Sequence, residues 1–185
     1  MTGLHFDREA IKAVDLSALA DKVAWHPNSQ YFDLPPGTEH YKLLAHVAAQ
    51  VQDGLILDIG TYLGFSALAL ATNPTNRVVS FDLVDCKLPS VPPNVELVVG
   101  DITTGAWDDL IARASLVMLD VDPHDGVQET AIVAHLRKAG FRGHLLCDDI
   151  HLNAGMRAFW ASLPEPKQDL SGVGHITGTG YASYA

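Results

Sequence analysis

The chain has 185 residues, 48% apolar and 18% charged, a composition that excludes intrinsic disorder and fits one domain around a single core. The net charge of −10, from 22 acidic and 12 basic residues, argues against nucleic acid and anionic membrane surfaces as partners, since both need a basic face. Cys86 and Cys147 make no disulfide framework, no apolar stretch reaches the roughly 18 residues of a membrane span, and the opening "MTGLHFDREA" lacks a signal-type apolar core. A cytoplasmic protein is the expectation.

Residues 1–53 hold two helical patterns, near 8–22 and 38–51. Between them lies "WHPNSQYFDLPPG", a turn-rich aromatic segment of a kind that often covers an active site. From 54 to 185, short apolar runs alternate with helical patterns, the signature of βαβ units and a parallel sheet. Strands are expected at "LILDI" (55–59), "RVVSFD" (77–82), "VELVVGD" (95–101), "SLVMLD" (115–120) and "GHLLCDD" (143–149). Helices are expected over 64–71, 106–114, 127–140 and roughly 153–163. Three prolines within 89–93 make a helix improbable between the second and third strands. Cys147 lies in an apolar run and reads as a buried small hydrophobe. The tail "DLSGVGHITGTGYASYA" reads as two short strands forming a hairpin.

The first strand ends in "DIGTYLG", Asp58 to Gly64, which is D-x-G-x-x-x-G and not G-x-G-x-x-G. A nicotinamide-dependent oxidoreductase needs the third glycine, so that a diphosphate can sit at a helix N-terminus. An acid there repels a diphosphate but can hold an ammonium group. A zwitterionic ligand follows, with Asp58 near its amine and backbone N–H groups or Ser66 near its carboxylate. Asp82, at the end of the second strand, can accept hydrogen bonds from both hydroxyls of a ribose. Gly100 and Asp101 end the third strand, where they can border an adenine. Taken singly, each acid also fits a turn or helix cap.

The run "LDIGTYLGFSALALA" resembles the first motif of class I S-adenosylmethionine-dependent methyltransferases. It looks closest to the variant in catechol-type and related metal-dependent O-methyltransferases, with Tyr62 and Ser66 as the matching aromatic and serine. The likeness covers about residues 54–185. It implies that Asp58, Gly60, Tyr62 and Ser66, with Gly64 in the same loop, line the methionine end of S-adenosylmethionine. Asp82 would then hold the ribose, and Asp101 with Ile102 would flank the adenine. The implied fold is an α/β, Rossmann-like, doubly wound sheet of seven mostly parallel strands, with helices on both faces. The C-terminal hairpin supplies its antiparallel edge. Residues 54–185 then form the methyltransferase core and 1–53 the substrate side of one compact domain.

In an open α/β sheet the reactive region lies beyond the carboxyl ends of the strands. "SLVMLDVDPHDG" ends the fourth strand in Asp120, Asp122, His124 and Asp125, and "LLCDDIHLN" ends the fifth in Asp148 and Asp149. Neighbouring strands lie about 4.8 Å apart, so carboxylates at adjacent ends can share one cation that relieves their repulsion. All-oxygen ligation favours Mg²⁺ or Mn²⁺. Both segments look like those of the bacterial sugar and macrolide-type (macrocin) members of the metal-dependent group. That resemblance implies Asp120, Asp148 and Asp149 as metal ligands, with Asp120 also bordering the cofactor, and Asp122 as general base. A lysine that catechol-type members carry just beyond the first ligand is absent, and Pro123 and His124 stand there. Asp122, His124 and His151 therefore remain alternative proton acceptors. A zinc site using His124 and His151 is a second arrangement of these residues.

The expected activity is metal-dependent methyl transfer to a hydroxyl of a small molecule, a diol being the natural chelating acceptor. Trp25, His26, Tyr31 and Phe32 are expected on the pocket wall, with His175 from the tail. The alternatives are a protein that binds S-adenosylmethionine without chemistry, or a hydroxylase-type relative of the same fold in secondary metabolism. A homo-oligomer is compatible with the sequence, which does not specify one.

Overall fold

A computed structural model describes residues 3–35, 37–85 and 88–184, so Cys86 lies outside the described residues. The N-terminal pattern 8–22 divides into α1 (Arg8–Lys12) and α2 (Ser17–Lys22). The break follows from Asp15, whose Oδ1 accepts the Ser17 N–H at 2.9 Å and starts a second helix. Ile11, Leu16, Leu19 and Val23 bury against the core. A 3₁₀ turn (Pro27–Phe32) leads to α3 (Gly37–Gln50). On α3 the buried residues His40, Leu43, Leu44, Val47 and Ala48 recur at helical spacing, which makes one inward stripe.

The apolar runs become five parallel strands, β1 (Leu55–Ile59), β2 (Arg77–Asp82), β3 (Val95–Val99), β4 (Leu116–Leu119) and β5 (His144–Cys147). Their near-continuous apolarity has a physical cause: both faces of the sheet are covered. Ile56, Met118 and Leu146 face the layer built with α3 and α4 (Phe65–Leu70). Leu57, Leu119 and Leu145 face the other layer, built by α5 (Asp108–Arg113), α6 (Val127–Lys138) and α7 (Ala154–Ser162). Among the described residues no helix joins β2 to β3, and Leu88 and Val91 pack on the first layer instead. Cys147 is a buried free thiol. No helix among the described residues is long and apolar enough to cross a membrane.

The sheet has seven strands in the order β3-β2-β1-β4-β5-β7-β6, with β7 (Gly180–Ser183) antiparallel to both β5 and β6 (Lys167–Asp169). The first strand of this hairpin starts ahead of the predicted tail. Its residues Lys167, Gln168 and Asp169 are polar because it is an exposed edge, which leaves no apolar pattern to read.

Register sets up the site. Ile59 pairs with Phe81 and Leu119, and Leu119 pairs with Cys147. The next residues, Gly60, Asp120 and Asp148, therefore leave the sheet level with Asp82, the last residue of β2, along its carboxyl edge. The strand order reverses between β1 and β4, which opens a crevice there.

Candidate active site

A cavity of about 1230 Å³ occupies that crevice. Gly60 and Tyr62 line it after β1, Asp82 after β2, Asp101 and Ile102 after β3, and Asp120, Asp122 and His124 after β4. Gly60 has φ +103°, and a Cβ there would lie 1.6 Å from the Asp120 carbonyl oxygen, so only glycine lets the ends of β1 and β4 approach. Tyr62 is also left-handed at φ +43°, and its ring is 75% exposed. Its N–H donates to Asp82 Oδ2 at 2.8 Å, while Val84 N–H donates to Oδ1 at 3.0 Å. Each oxygen keeps a lone pair for a further donor. Asp101 caps the short turn Ile102–Thr104, its Oδ1 accepting from the Thr103 hydroxyl (2.7 Å) and N–H (2.8 Å). Those bonds hold its carboxyl below the usual range.

Three expected residues sit elsewhere. Asp58, Gly64 and Ser66 are buried and are not on the cavity wall, Gly64 serving as the N-cap of α4. Ser66 Oγ donates to Asp58 Oδ2 at 3.0 Å and Ser80 Oγ to the same oxygen at 2.6 Å, so Ser66 answers Asp58 rather than a ligand carboxylate. Asp58 Oδ1 has no partner. Burial pushes this carboxyl up to about 6, against the two hydroxyls. From the N-terminal loop only Trp25 and His26 reach the wall. The 3₁₀ turn points Phe32 inward instead, its ring centroid 5.1 Å from Phe65 and 4.7 Å from Tyr41, and Tyr31 does not line the cavity.

Beside the cavity, the predicted aspartates meet three histidines. Three sets of ligand atoms close to within 4.8 Å: His40 with Asp120 and Asp148, His124 with Asp120 and Asp149, and His175 with Asp148 and Asp149. Each pair of aspartates thus has one imidazole nitrogen within reach of its ligand atoms. His124 Nδ1 stands 3.3 Å from Asp149 Oδ2 and 3.7 Å from Asp120 Oδ1. His175 Nδ1 lies 3.2 Å from Asp148 Oδ2 and 3.5 Å from Asp149 Oδ1, and His40 Nδ1 lies 3.4 Å from Asp148 Oδ2. His124 is fixed by a left-handed backbone (φ +54°) and by its carbonyl, which accepts Asn153 Nδ2 at 2.6 Å from the N-cap of α7.

The charges are uneven. Burial, then Asp148 and Asp149, push the Asp120 carboxyl well above the usual range. Hydrogen bonds to Asp148 and Asp149 raise His175 to about 10. Burial would raise Asp149, but the neighbouring His175 and Thr177 side chains and the charge of His124 outweigh it and hold that carboxyl low. Burial lowers His40, against the pull of Asp148. The buried atoms Asp149 Oδ1 and His40 Nδ1 lack hydrogen-bond partners. Three clustered carboxylates, with one bare carboxylate oxygen and one bare imidazole nitrogen among them, fit a divalent cation.

His151 stands outside this cluster. Its Nε2 is 2.7 Å from Asp169 Oδ2 on the exposed edge strand, so the structure does not bring His151 together with His124 and the aspartates. Sequence reasoning missed His40, since a histidine within a buried helical stripe looks like any core residue. It placed His175 only as a wall residue. The acid pair Asp148–Asp149 was the available signal, because two adjacent buried acids require neutralising partners.

No protein-family model and no curated protein matches this sequence. Solved structures do match. PaMTH1, an SAH-bound methyltransferase of Podospora anserina, superposes with a TM-score of 0.55 at 18% identity, over 98% of this chain and 97% of that one. The O-methyltransferase TomG of Streptomyces achromogenes, involved in tomaymycin synthesis and solved with SAM, gives 0.56 at 20% identity, over 92% and 89%. Cofactor-bound Rv0187 from MTB gives 0.57 at 22% identity, over 96% and 90%. The protein has the fold of class I S-adenosylmethionine-dependent methyltransferases, a seven-stranded, mostly parallel sheet with an antiparallel C-terminal hairpin.

Proposed function

We propose that this protein transfers a methyl group from S-adenosylmethionine to a hydroxyl of a small molecule, with a divalent cation held at the Asp120–Asp148–Asp149 cluster. One observation carries the reading: Asp120 belongs both to the wall of the glycine-loop cavity and to the carboxylate–histidine cluster. When bound, the cofactor supplies an electrophilic methyl group and the cation a Lewis acid that makes a hydroxyl more acidic.

The chain's own groups do the rest. Asp82, already oriented by Tyr62 and Val84, accepts hydrogen bonds from ribose hydroxyls. Ile102 and Asp101 flank the adenine, and Asp58, buried beneath the loop and off the wall, acts on the amine through its field rather than by contact. Asp82, Asp85, Asp101, Asp120 and Asp122 put five carboxylates on the wall, and no described lining residue is lysine or arginine. That wall suits a sulfonium cation and repels a diphosphate. Asp122, exposed on the wall, accepts the hydroxyl proton, with His124 as the other acceptor within the cavity. A vicinal diol is the assigned acceptor class, and a cytoplasmic setting with Cys147 reduced belongs to the same reading.

The test supplies methyl-labelled S-adenosylmethionine and a panel of catechols and sugar diols, with Mg²⁺, with Mn²⁺ and with excess chelator. A labelled methyl ether that forms with metal and vanishes in chelator is expected. Failure of the cofactor to bind in calorimetry overturns the proposal, and undiminished turnover in chelator removes the cation from it.

A further inference from the structure

We propose that the cation centre is a mixed imidazole–carboxylate site in which His124 Nδ1 ligates beside Asp120 and Asp149. Such a site selects a first-row transition ion over Mg²⁺. The inference rests on the cation reading above and deepens it.

Of the three sets that close around the cluster, only Asp120–His124–Asp149 has two members on the cavity wall, Asp120 and His124. An ion there keeps positions open toward an acceptor in the cavity, while the set containing His40 and Asp148 is closed off by burial. Distances favour ligation over hydrogen bonding. Two donors at about 2.1 Å from one ion stand about 3.0 Å apart at an octahedral right angle and about 3.4 Å apart at a tetrahedral one. His124 Nδ1 lies 3.3 Å from Asp149 Oδ2 and 3.7 Å from Asp120 Oδ1. Both are longer than the roughly 2.9–3.0 Å at which N–H···O bonds cluster; the first falls within the ligand span and the second lies just beyond it.

A second, independent observation points to a missing group. His40, with 6% of its surface exposed, aims Nδ1 into the cluster 3.4 Å from Asp148 Oδ2, and that nitrogen has no hydrogen-bond partner. Asp149 Oδ1 is likewise buried and bare. Native interiors seldom leave such atoms unanswered.

His175 has a different part. Its Nδ1 lies 2.7 Å from Thr177 Oγ1 and faces both Asp148 and Asp149, so it is a positioning residue that holds the two carboxylates together. Imidazole suits zinc, iron, nickel and copper, whereas carboxylate, carbonyl and water suit Mg²⁺. With His124 taken as a ligand, Asp122 is left as the proton acceptor on the wall.

The test loads the full chain with Mn²⁺ and records pulsed electron paramagnetic resonance, which detects a directly bound nitrogen without any turnover. Nitrogen modulation is expected in the wild type and is lost in His124→Ala. Calorimetry should show the preference for Co²⁺ over Mg²⁺ falling at least tenfold in that variant. An oxygen-only wild-type spectrum, nitrogen modulation that persists in His124→Ala, or an undiminished preference each overturns the assignment. Should the alanine variant fail to fold, His124→Asn, which tolerates the left-handed backbone at this position, takes its place with the same expected loss of nitrogen modulation. Nitrogen ligation without any methyl transfer overturns the functional reading and leaves the ligand standing. Methyl transfer with an oxygen-only centre does the reverse, and absence of Mn²⁺ binding overturns the centre altogether.

Discussion

Two stretches of the same sheet edge treat their acids in opposite ways. After β2 and β3, Asp82 and Asp101 are met by the main-chain N–H groups of Tyr62, Val84 and Thr103, so the carboxylates are held before any ligand arrives. After β4 and β5, Asp120, Asp148 and Asp149 face one another across imidazoles, and buried atoms are left without partners. The first region is a finished polar platform. The second leaves buried polar atoms unanswered, which under the proposed function a cation would complete. Preoriented acceptors and an unanswered cluster are both built from aspartate, so the surroundings decide the role rather than the residue type.

The largest perturbation should come from breaking the contact that fuses the two regions. Gly60→Ala places a Cβ against the Asp120 carbonyl in a left-handed backbone, and about 4 kcal/mol or more of stability should be lost, measured by urea unfolding. A loss under about 1 kcal/mol would show the strand ends free to separate.

Next, Asp148→Ala should lower metal-stimulated turnover by about 100-fold or more while S-adenosylmethionine affinity stays within a few-fold in calorimetry. Equal losses in both would mean that the two regions are not separable.

Asp58→Asn sharpens the platform side. A carboxyl raised to about 6 in the folded state keeps its proton while the unfolded chain ionises near 3.8, so wild-type stability falls as pH rises through that window. The variant should gain about 1–3 kcal/mol above pH 6 and nothing below pH 4, with cofactor affinity about tenfold weaker. A flat difference across pH would remove the buried charge from the account.

The smallest effect belongs to His175→Gln. With its pKa raised to about 10, His175 contributes stability that is fully present below pH 6.5 and is lost as pH rises through about 10. Its ring is 26% exposed, so the variant should lose only about 1 kcal/mol at pH 7. Added Mn²⁺ should restore most of that loss. Thermal melts with and without the ion decide this.

The strands β1, β4 and β5 were readable because a sheet covered on both faces needs unbroken apolar runs, and the acids that end those runs marked the functional edge. Gly60 was readable as part of the loop after the first strand, but its packing reason was not: it makes room for the Asp120 main chain, a contact 60 residues away in sequence. The aspartate side of the cluster was readable from strand ends. Its histidine side was not, because His40 lies in a helical stripe that only tertiary packing distinguishes from core, and His175 lies in a glycine-rich tail without period. Edge strand β6 and the split between α1 and α2 escaped for a related reason. Both rest on polar side chains whose local hydrogen bonds override pattern.

The seam where Gly60 rests on the Asp120 carbonyl has a consequence for how this scaffold can diverge. With no slack between the two chain segments, a shift on one side is handed directly to the other, and the spacing between them is set by peptide bonds rather than by adjustable rotamers. Under the proposed function, new acceptors are accommodated elsewhere on the wall, around Trp25, His26, Leu83 and Leu88, where side chains can be exchanged without disturbing that fixed gauge.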